Sequence, residues 1–221
     1  MTLFGDEILW QELGPATVET LLMTFFSTLV TVLVGLPLGV SQVATSPQGL
    51  APHAAVHKVL DVVVNIGRSI PFIILAFSIL PFTRFVVGTT IGWQGAVVPL
   101  TVAAIPFYAR LVETSLLQVS SGKVEAARMM GATRTRIMFD VLVREAAPAL
   151  IQQTTVLMIT LIGYGAMAGA IGSGGLGQLA MNHGYYRRND AMMLVTVVLI
   201  VVIVQLVQMV GDMLSRLVDH R

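Results

Sequence analysis

Along the chain, apolar residues gather into long blocks separated by short polar stretches. A helix that crosses the hydrocarbon core of a bilayer needs roughly 20 mostly apolar residues. Five segments reach that length, at about 18–44, 59–82, 92–117, 150–171 and 191–214. Helix breakers lie inside several of them. Gly35, Pro37 and Gly39 fall in the first, Pro71 in the second and Pro99 and Pro106 in the third, while Gly163, Gly165 and Gly169 close the fourth. Lipid tolerates such residues because neighbouring helices satisfy the freed backbone groups and small side chains allow close helix contact. The pattern predicts an all-α, polytopic membrane protein with five transmembrane helices, organised as one transmembrane domain over 1–221.

One stretch breaks the pattern. Residues 120–145 are polar and basic, and no helix made from them would be stable across a bilayer. Good helix formers run over 123–130, and Gly131 is placed to take the left-handed position that ends a helix. Thr133 then caps a second helix expected to reach about Glu145. Val124, Ala127 and Met130 form a narrow apolar ridge on the first helix, with Glu125 and Arg128 beside it; Ile137 and Val141 share a face of the second. Such a helix–turn–helix lies on the bilayer surface or docks against a soluble partner. A membrane anchor favours Leu, Phe or Trp, whereas here Ala126 and Ala127 stand, which suits insertion into a groove on another protein.

Composition supports the membrane reading: 55% of residues are hydrophobic and 11% charged, where soluble domains carry about 25% charged residues. With no Cys there is neither a disulfide framework nor a thiolate metal site, and a net charge of +1 argues for neither nucleic acid nor an acidic partner. The first sixteen residues hold three acids and no Lys or Arg, so they lack the basic start of a signal peptide, and the first span is expected to be retained. The distribution of basic residues fixes an orientation. With the N-terminus outside, ten of the thirteen Lys and Arg face the cytoplasm, and only Arg84, Arg187 and Arg188 remain outside. The positive-inside bias therefore predicts an outer N-terminus, a cytoplasmic C-terminus and a cytoplasmic 120–145 segment.

Candidate chemistry is sparse. Ser121-Gly122-Lys123 lacks both the following hydroxyl residue and the upstream glycine of a phosphate-binding loop, since Val124 and Leu117 stand there. Energy from ATP must therefore come in trans, or there is none. Residues 172–177, GSGGLG, satisfy the dinucleotide pattern but follow a membrane helix rather than a strand, so they are expected to form a flexible glycine turn, a candidate hinge beside a pathway. His53 and His57 are four apart without a third ligand, and no metal site is expected. Asp61, Asn65 and Arg68 line one stripe of the second span, and Arg110 and Glu113 repeat the theme on the third. Charged groups at depth pair between helices or line a cavity. No nucleophile–base or paired-acid arrangement lies in the spans, so no catalytic residue is assigned and an intramembrane enzyme is the remote alternative. Asn189 or Asp190 is placed to cap the fifth span.

Glu125-Ala126-Ala127, three residues and Gly131 together resemble the EAA loop of bacterial ABC-importer permeases. That family continues, nine residues after the glycine, with Ile-x-Leu-Pro; here Val141, Leu142, Val143 and Arg144 stand there, with Pro148 four residues later placed to do the work of the missing proline. Residues 65–80 (NIGRSIPFIILAFSIL), 81–87 (PFTRFVV), 88–113 and 163–178 (GYGAMAGAIGSGGLGQ) are similar to the methionine-uptake branch of that family. The resemblance implies a homodimer in the bacterial inner membrane, feeding on an extracytoplasmic methionine-binding protein and docked on two ATP-binding cassette subunits. Glu125, Ala126, Ala127, Arg128 and Gly131 would make the ATPase contact, and ATP and Mg would be bound by the partner, leaving no cofactor in this chain. It implies alternating access and places a methionine close to the dimer axis at the position of Met167, which is then an apolar gate or one more core gap filler; Asn65 and Arg68, from the polar stripe of the second span, either pair between helices or line the inner mouth of the path. Tyr185 and Tyr186 are then an interfacial anchor or a contact with the binding protein. A permease for another amino acid or small nutrient is the sibling alternative.

Overall fold

The computed structural model describes residues 7–219. Residues 1–6 of the acidic opening and Arg221 of the basic tail lie outside the described residues. All regular structure among the described residues is helical. In chain order the elements are α1 (Glu7–Thr45), α2 (Ala54–Ser69), α3 (Phe72–Ser78), α4 (Leu80–Val87), α5 (Gly92–Leu117) and α6 (Ser121–Met129). There follow α7 (Arg134–Arg136), a π-helical segment (Ile137–Val143), α8 (Arg144–Gly169), α9 (Gly175–Leu179), a second π-helical segment (Ala180–Tyr186) and α10 (Asp190–Val218). Four stretches are long and apolar enough to cross a membrane, Gln11–Thr45, Gly92–Leu117, Arg134–Gly169 and Asp190–Val218, and the bent pair α2–α3 raises the number to five.

Three expectations are corrected. The second span, expected over about 59–82 with Pro71 as a breaker inside it, is split into two helices: α2 and α3 meet at a bend of 100°. Pro71 precedes the first residue of α3 with φ −59° and ψ 133°. Proline has no N–H to continue the helix and pushes the residue before it out of the helical region. The second helix of the polar segment does not end near Glu145. It continues through the first π-helical segment into α8, unbroken from Arg134 to Gly169. Arg144 opens α8 and Pro148 lies inside it, so neither residue marks a break before the fourth span. Finally, Ile137 and Val141 do not share the buried face. Ile137, Met138 and Leu142 are buried and Val141 is half-buried, because the π-helix repeats at i→i+5 and moves the ridge from Val141 to Leu142.

The chain forms two compact units. Unit one holds the described residues up to Val30, Ile70–Ala103 and Leu157–Gln208; unit two holds Thr31–Ser69, Ala104–Val156 and the chain from Met209. In unit one, Leu13, Ala16, Ile162, Leu176, Leu179, Met192 and Ile203 form a core, backed by Val195, Leu199 and Val207. In unit two, helices pack through small residues. A Cβ on Gly39 would fall 2.6 Å from the Ala109 carbonyl oxygen, and one on Gly67 would fall 2.8 Å from Pro106 Cγ. Tyr108 is fully buried there, its hydroxyl 2.8 Å from Thr154 Oγ1, which donates to the Leu150 carbonyl at 2.9 Å.

Candidate coupling site and pathway residues

The polar segment is built around one turn. At the end of α6, Gly131 adopts φ +77°. Its N–H donates to the Arg128 carbonyl at 2.9 Å, and the Ala132 N–H donates to the Ala127 carbonyl at 3.0 Å. These are the two bonds of a Schellman motif, which closes off carbonyls that the helix end would leave open. The chain then turns straight into α7, where Thr133 Oγ1 accepts the Arg136 N–H at 3.4 Å. Glycine is required here by conformation rather than by space, since nothing lies within 4 Å of a Cβ at Gly131.

The turn determines what α6 presents. Ala127 is buried (5% exposed) and Val124 half-buried, so these two hold α6 to the body of unit two. Met130, expected as the third member of that ridge, is instead 82% exposed, and Met129 beside it is 90% exposed. The helix ends at Met129, and the left-handed turn carries the chain away before the ridge completes. Glu125, Ala126 and Arg128 are exposed with them. The outcome is a short charged helix tipped by two bare methionines, flexible side chains that adapt to an irregular groove. Lys123 and Glu145 form an ion pair between α6 and the start of α8, and the exposed Arg134, Arg136 and Arg144 make the surroundings basic.

The ionisable stripe divides. Arg110 Nη1 lies 2.8 Å from Glu113 Oε2 and 3.9 Å from Asp61 Oδ1, which ties α2 to α5 within unit two. Asn65 and Arg68 remain exposed farther along α2. Met167 belongs to unit one. It is 44% exposed and shares an open face of the fourth span with Gly163 and Ala170. One turn before it, Tyr164 stacks on Phe72 with ring centroids 4.9 Å apart and planes at 4°, pinning the first residue after the bend to α8.

The glycine turn after α8 is tied down rather than loose. Gly172, Gly174 and Gly175 have φ of +90°, +76° and +72°. Gly175 N–H donates to Glu19 Oε2 at 2.7 Å, Leu176 N–H to Thr20 Oγ1 at 2.9 Å, and Gly174 N–H to Gln178 Oε1 at 2.6 Å. The chain continues as the helical segment Gly175–Tyr186, which has no counterpart among the expected spans. A cleft of about 460 Å³ lies between this segment and α1, lined by Glu12, Glu19, Gln178, Asn182 and His183 among others. Within it Glu12 Oε2 is 3.3 Å from His183 Nδ1. Tyr185 and Tyr186 are exposed and meet edge to face at 5.5 Å, and Asn189 Oδ1 caps α10 by accepting the Met192 N–H at 3.1 Å. His53 Nδ1 accepts the Val56 N–H at 3.3 Å, and His57 Nδ1 lies 3.2 Å from the Gln42 carbonyl. Among the described residues no three His, Cys, Asp or Glu side chains gather as a metal site would need.

Glu12, Glu19, Tyr164, His183 and the Lys123–Glu145 pair were not singled out in the sequence. Glu19 carried the one available signal, a carboxylate just inside an apolar block.

Residues 32–221 match the family described as the binding-protein-dependent transport system inner membrane component. The chain belongs to this family. It is 47% identical over 206 residues to the probable D-methionine transport system permease protein MetI of Vibrio cholerae, covering 93% of this chain and 92% of that one. It is 47% identical over 177 residues to the methionine import system permease protein MetP of Bacillus subtilis, covering 80% of each. A solved structure described as inward facing conformations of the MetNI methionine ABC transporter matches with a TM-score of 0.95 and 46% identity, covering 97% of this chain and all of that one. The resemblance drawn from the EAA segment is thereby established, and the chain is a multi-pass membrane component of a transport system.

Proposed function

We propose that this chain is the permease subunit of an ATP-driven, binding-protein-dependent methionine importer that works by alternating access. The whole chain acts as one transmembrane domain in a bacterial inner membrane, N-terminus outside, and two copies form the pathway. Each copy docks one of two ATP-binding cassette subunits, which hold ATP and Mg, and methionine arrives from an extracytoplasmic binding protein. The observation that carries this reading is the α6 tip. Glu125, Ala126, Arg128, Met129 and Met130 stand exposed on a helix held in place by the Gly131 turn and the Lys123–Glu145 pair. A short exposed helix with flexible apolar residues and flanking charge suits a groove on a soluble partner. The similarity to methionine transport permeases supports methionine as the substrate.

Motion of the docked tip passes through the turn at 130–133 into α7 and from there, with no further loop, through the π-helical segment into α8. Met167, on the open face of α8, serves as an apolar gate, and Asn65 and Arg68 on α2 lie along or beside the path. Methionine uptake by proteoliposomes holding this chain, its ATPase and its binding protein is the test. Uptake is expected to need ATP and both partners, and Glu125→Lys or Gly131→Leu is expected to abolish ATPase co-purification while the spans still insert. Uptake that persists without ATP, or variants that transport and co-purify normally, would overturn the assignment.

A further inference from the structure

A carboxylate inside an apolar block is costly unless it is paired. Glu19 meets that condition in an unusual way, through backbone. Its Oε2 accepts the Gly175 N–H at 2.7 Å, and the neighbouring Thr20 hydroxyl accepts the Leu176 N–H at 2.9 Å while donating to the Ala16 carbonyl at 3.0 Å. The turn lies hard against α1: a Cβ on Gly175 would fall 2.7 Å from Thr20 Oγ1 and 2.8 Å from Met23 Cε. The same turn is locked on its other side to the end of α8. A Cβ on Gly177 would fall 2.5 Å from Ala166 Cα, and Gly169 packs with no room to spare against Gly177 and Gln178. Met167 lies between Ala166 and Gly169 in the chain. Two helix turns before Glu19, Glu12 reaches His183 of the same segment at 3.3 Å. Glu19 is therefore hydrogen-bonded to the segment that braces the end of α8, and Glu12 lies close to it.

We propose that Glu19 is a positioning residue for the gate. Its carboxylate fastens the glycine turn to α1, so that α1 and the Met167 end of α8 move as one piece. A neutral acceptor would suffice to close a turn. A charged one makes a hydrogen bond about twice as strong, which suits a joint that carries load when the pathway opens. The idea rests on the importer reading and deepens it.

Because the chain has no Cys, a single Ala170→Cys substitution gives a clean spin label on the open face beside Met167. The distance between the labels of the two copies is read in the assembled transporter, with its ATPase, in lipid nanodiscs, with and without trapped nucleotide. Glu19→Ala is expected to raise the nucleotide-free population at the ATP-bound distance by roughly tenfold, the factor lost with one charge-assisted hydrogen bond. ATP consumed per methionine transported should rise in parallel. Glu19→Gln keeps an acceptor oxygen but not the charge and is expected to recover only part of both effects, about half of the lost free energy. Unchanged distances with an unchanged ATP ratio in Glu19→Ala would overturn the proposal. So would unchanged distances with uptake and hydrolysis falling in proportion, which marks a role in folding alone. If Glu19→Ala fails to assemble, Thr20→Val is read on the same two measurements, with a smaller shift in the same direction supporting the proposal and no shift overturning it. The distance readout needs no methionine, so a failure of the substrate assignment would appear separately, as absent uptake by the parent protein.

Discussion

Replacing Gly131 by alanine isolates a single physical cause. Gly131 sits at φ +77°, and a Cβ added there meets nothing within 4 Å. The substitution therefore creates no clash, and its cost is the left-handed backbone alone, roughly 1–2 kcal/mol for a residue with a Cβ. That penalty falls on the turn that closes α6 through the Gly131→Arg128 and Ala132→Ala127 backbone bonds. If docking needs this turn, the docking-competent population falls about 5- to 30-fold, and the affinity of the detergent-purified permease for its ATPase falls by the same factor. Asparagine tolerates the left-handed region better than alanine, so Gly131→Asn should recover most of the loss despite its larger side chain. Titration of labelled ATPase against wild-type, Gly131→Ala and Gly131→Asn permease measures all three. Equal affinity of the alanine variant and the wild type would refute the role of the turn. Equal damage by alanine and asparagine would refute the conformational account and point to a steric contact with the partner.

Gly39→Ala places a Cβ 2.6 Å from the Ala109 carbonyl oxygen and 2.7 Å from Val112 Cβ; it should destabilise the purified chain by about 1–3 kcal/mol in SDS titration. Gly14→Ala, also helical but with nothing within 4 Å, serves as its control and should be neutral or stabilising by roughly 0.5–1 kcal/mol. Tyr108→Phe removes a buried hydroxyl but leaves Thr154 its bond to the Leu150 carbonyl, so the same titration should find a loss of only about 0.5–1.5 kcal/mol. Thr154→Val alone should cost more, because it leaves the Tyr108 hydroxyl buried without a partner.

Local chemistry was the legible part of this sequence. The helix at Gly92–Leu117, the helix stop at Gly131, the cap at Thr133 and the cap of α10, expected from Asn189 or Asp190 and supplied by Asn189, all follow from side-chain types acting on their own backbone, and the structure holds each of them. What escaped depends on distant partners or on an unusual helical period. Pro71 was visible as a breaker, but the bend of 100° was not, and Phe72 just beyond it stacks on Tyr164 from a distant part of the chain. The passage of 137–143 into α8 was missed because a period of 3.6 was assumed where the π-helix has a longer one, and that assumption chose Val141 over Leu142. The glycine turn was taken as flexible because its acceptors, Glu19 and Thr20, come from 156 residues away in the chain. In the candidate coupling segment Glu125, Ala126 and Arg128 are exposed while Ala127 is buried, and the most exposed residue there, Met129, carried no signal in the sequence, since the left-handed turn decides which end of the ridge is left bare.

The π-helical segment Ile137–Val143 bears on how this chain tolerates insertions and deletions. In an ordinary α-helix, removing one residue rotates everything beyond it by about 100°, which would turn the faces of a membrane span away from their neighbours. A π-turn carries a residue in excess of the α-helical number. Loss of one residue between Ile137 and Val143 would let the wide turn close to an α-turn and leave the register of α8 intact. Of the stretch from Arg134 to Gly169, these seven positions are where a deletion does least to the span, and the polar segment could change length by one residue there without re-aiming the helix it joins.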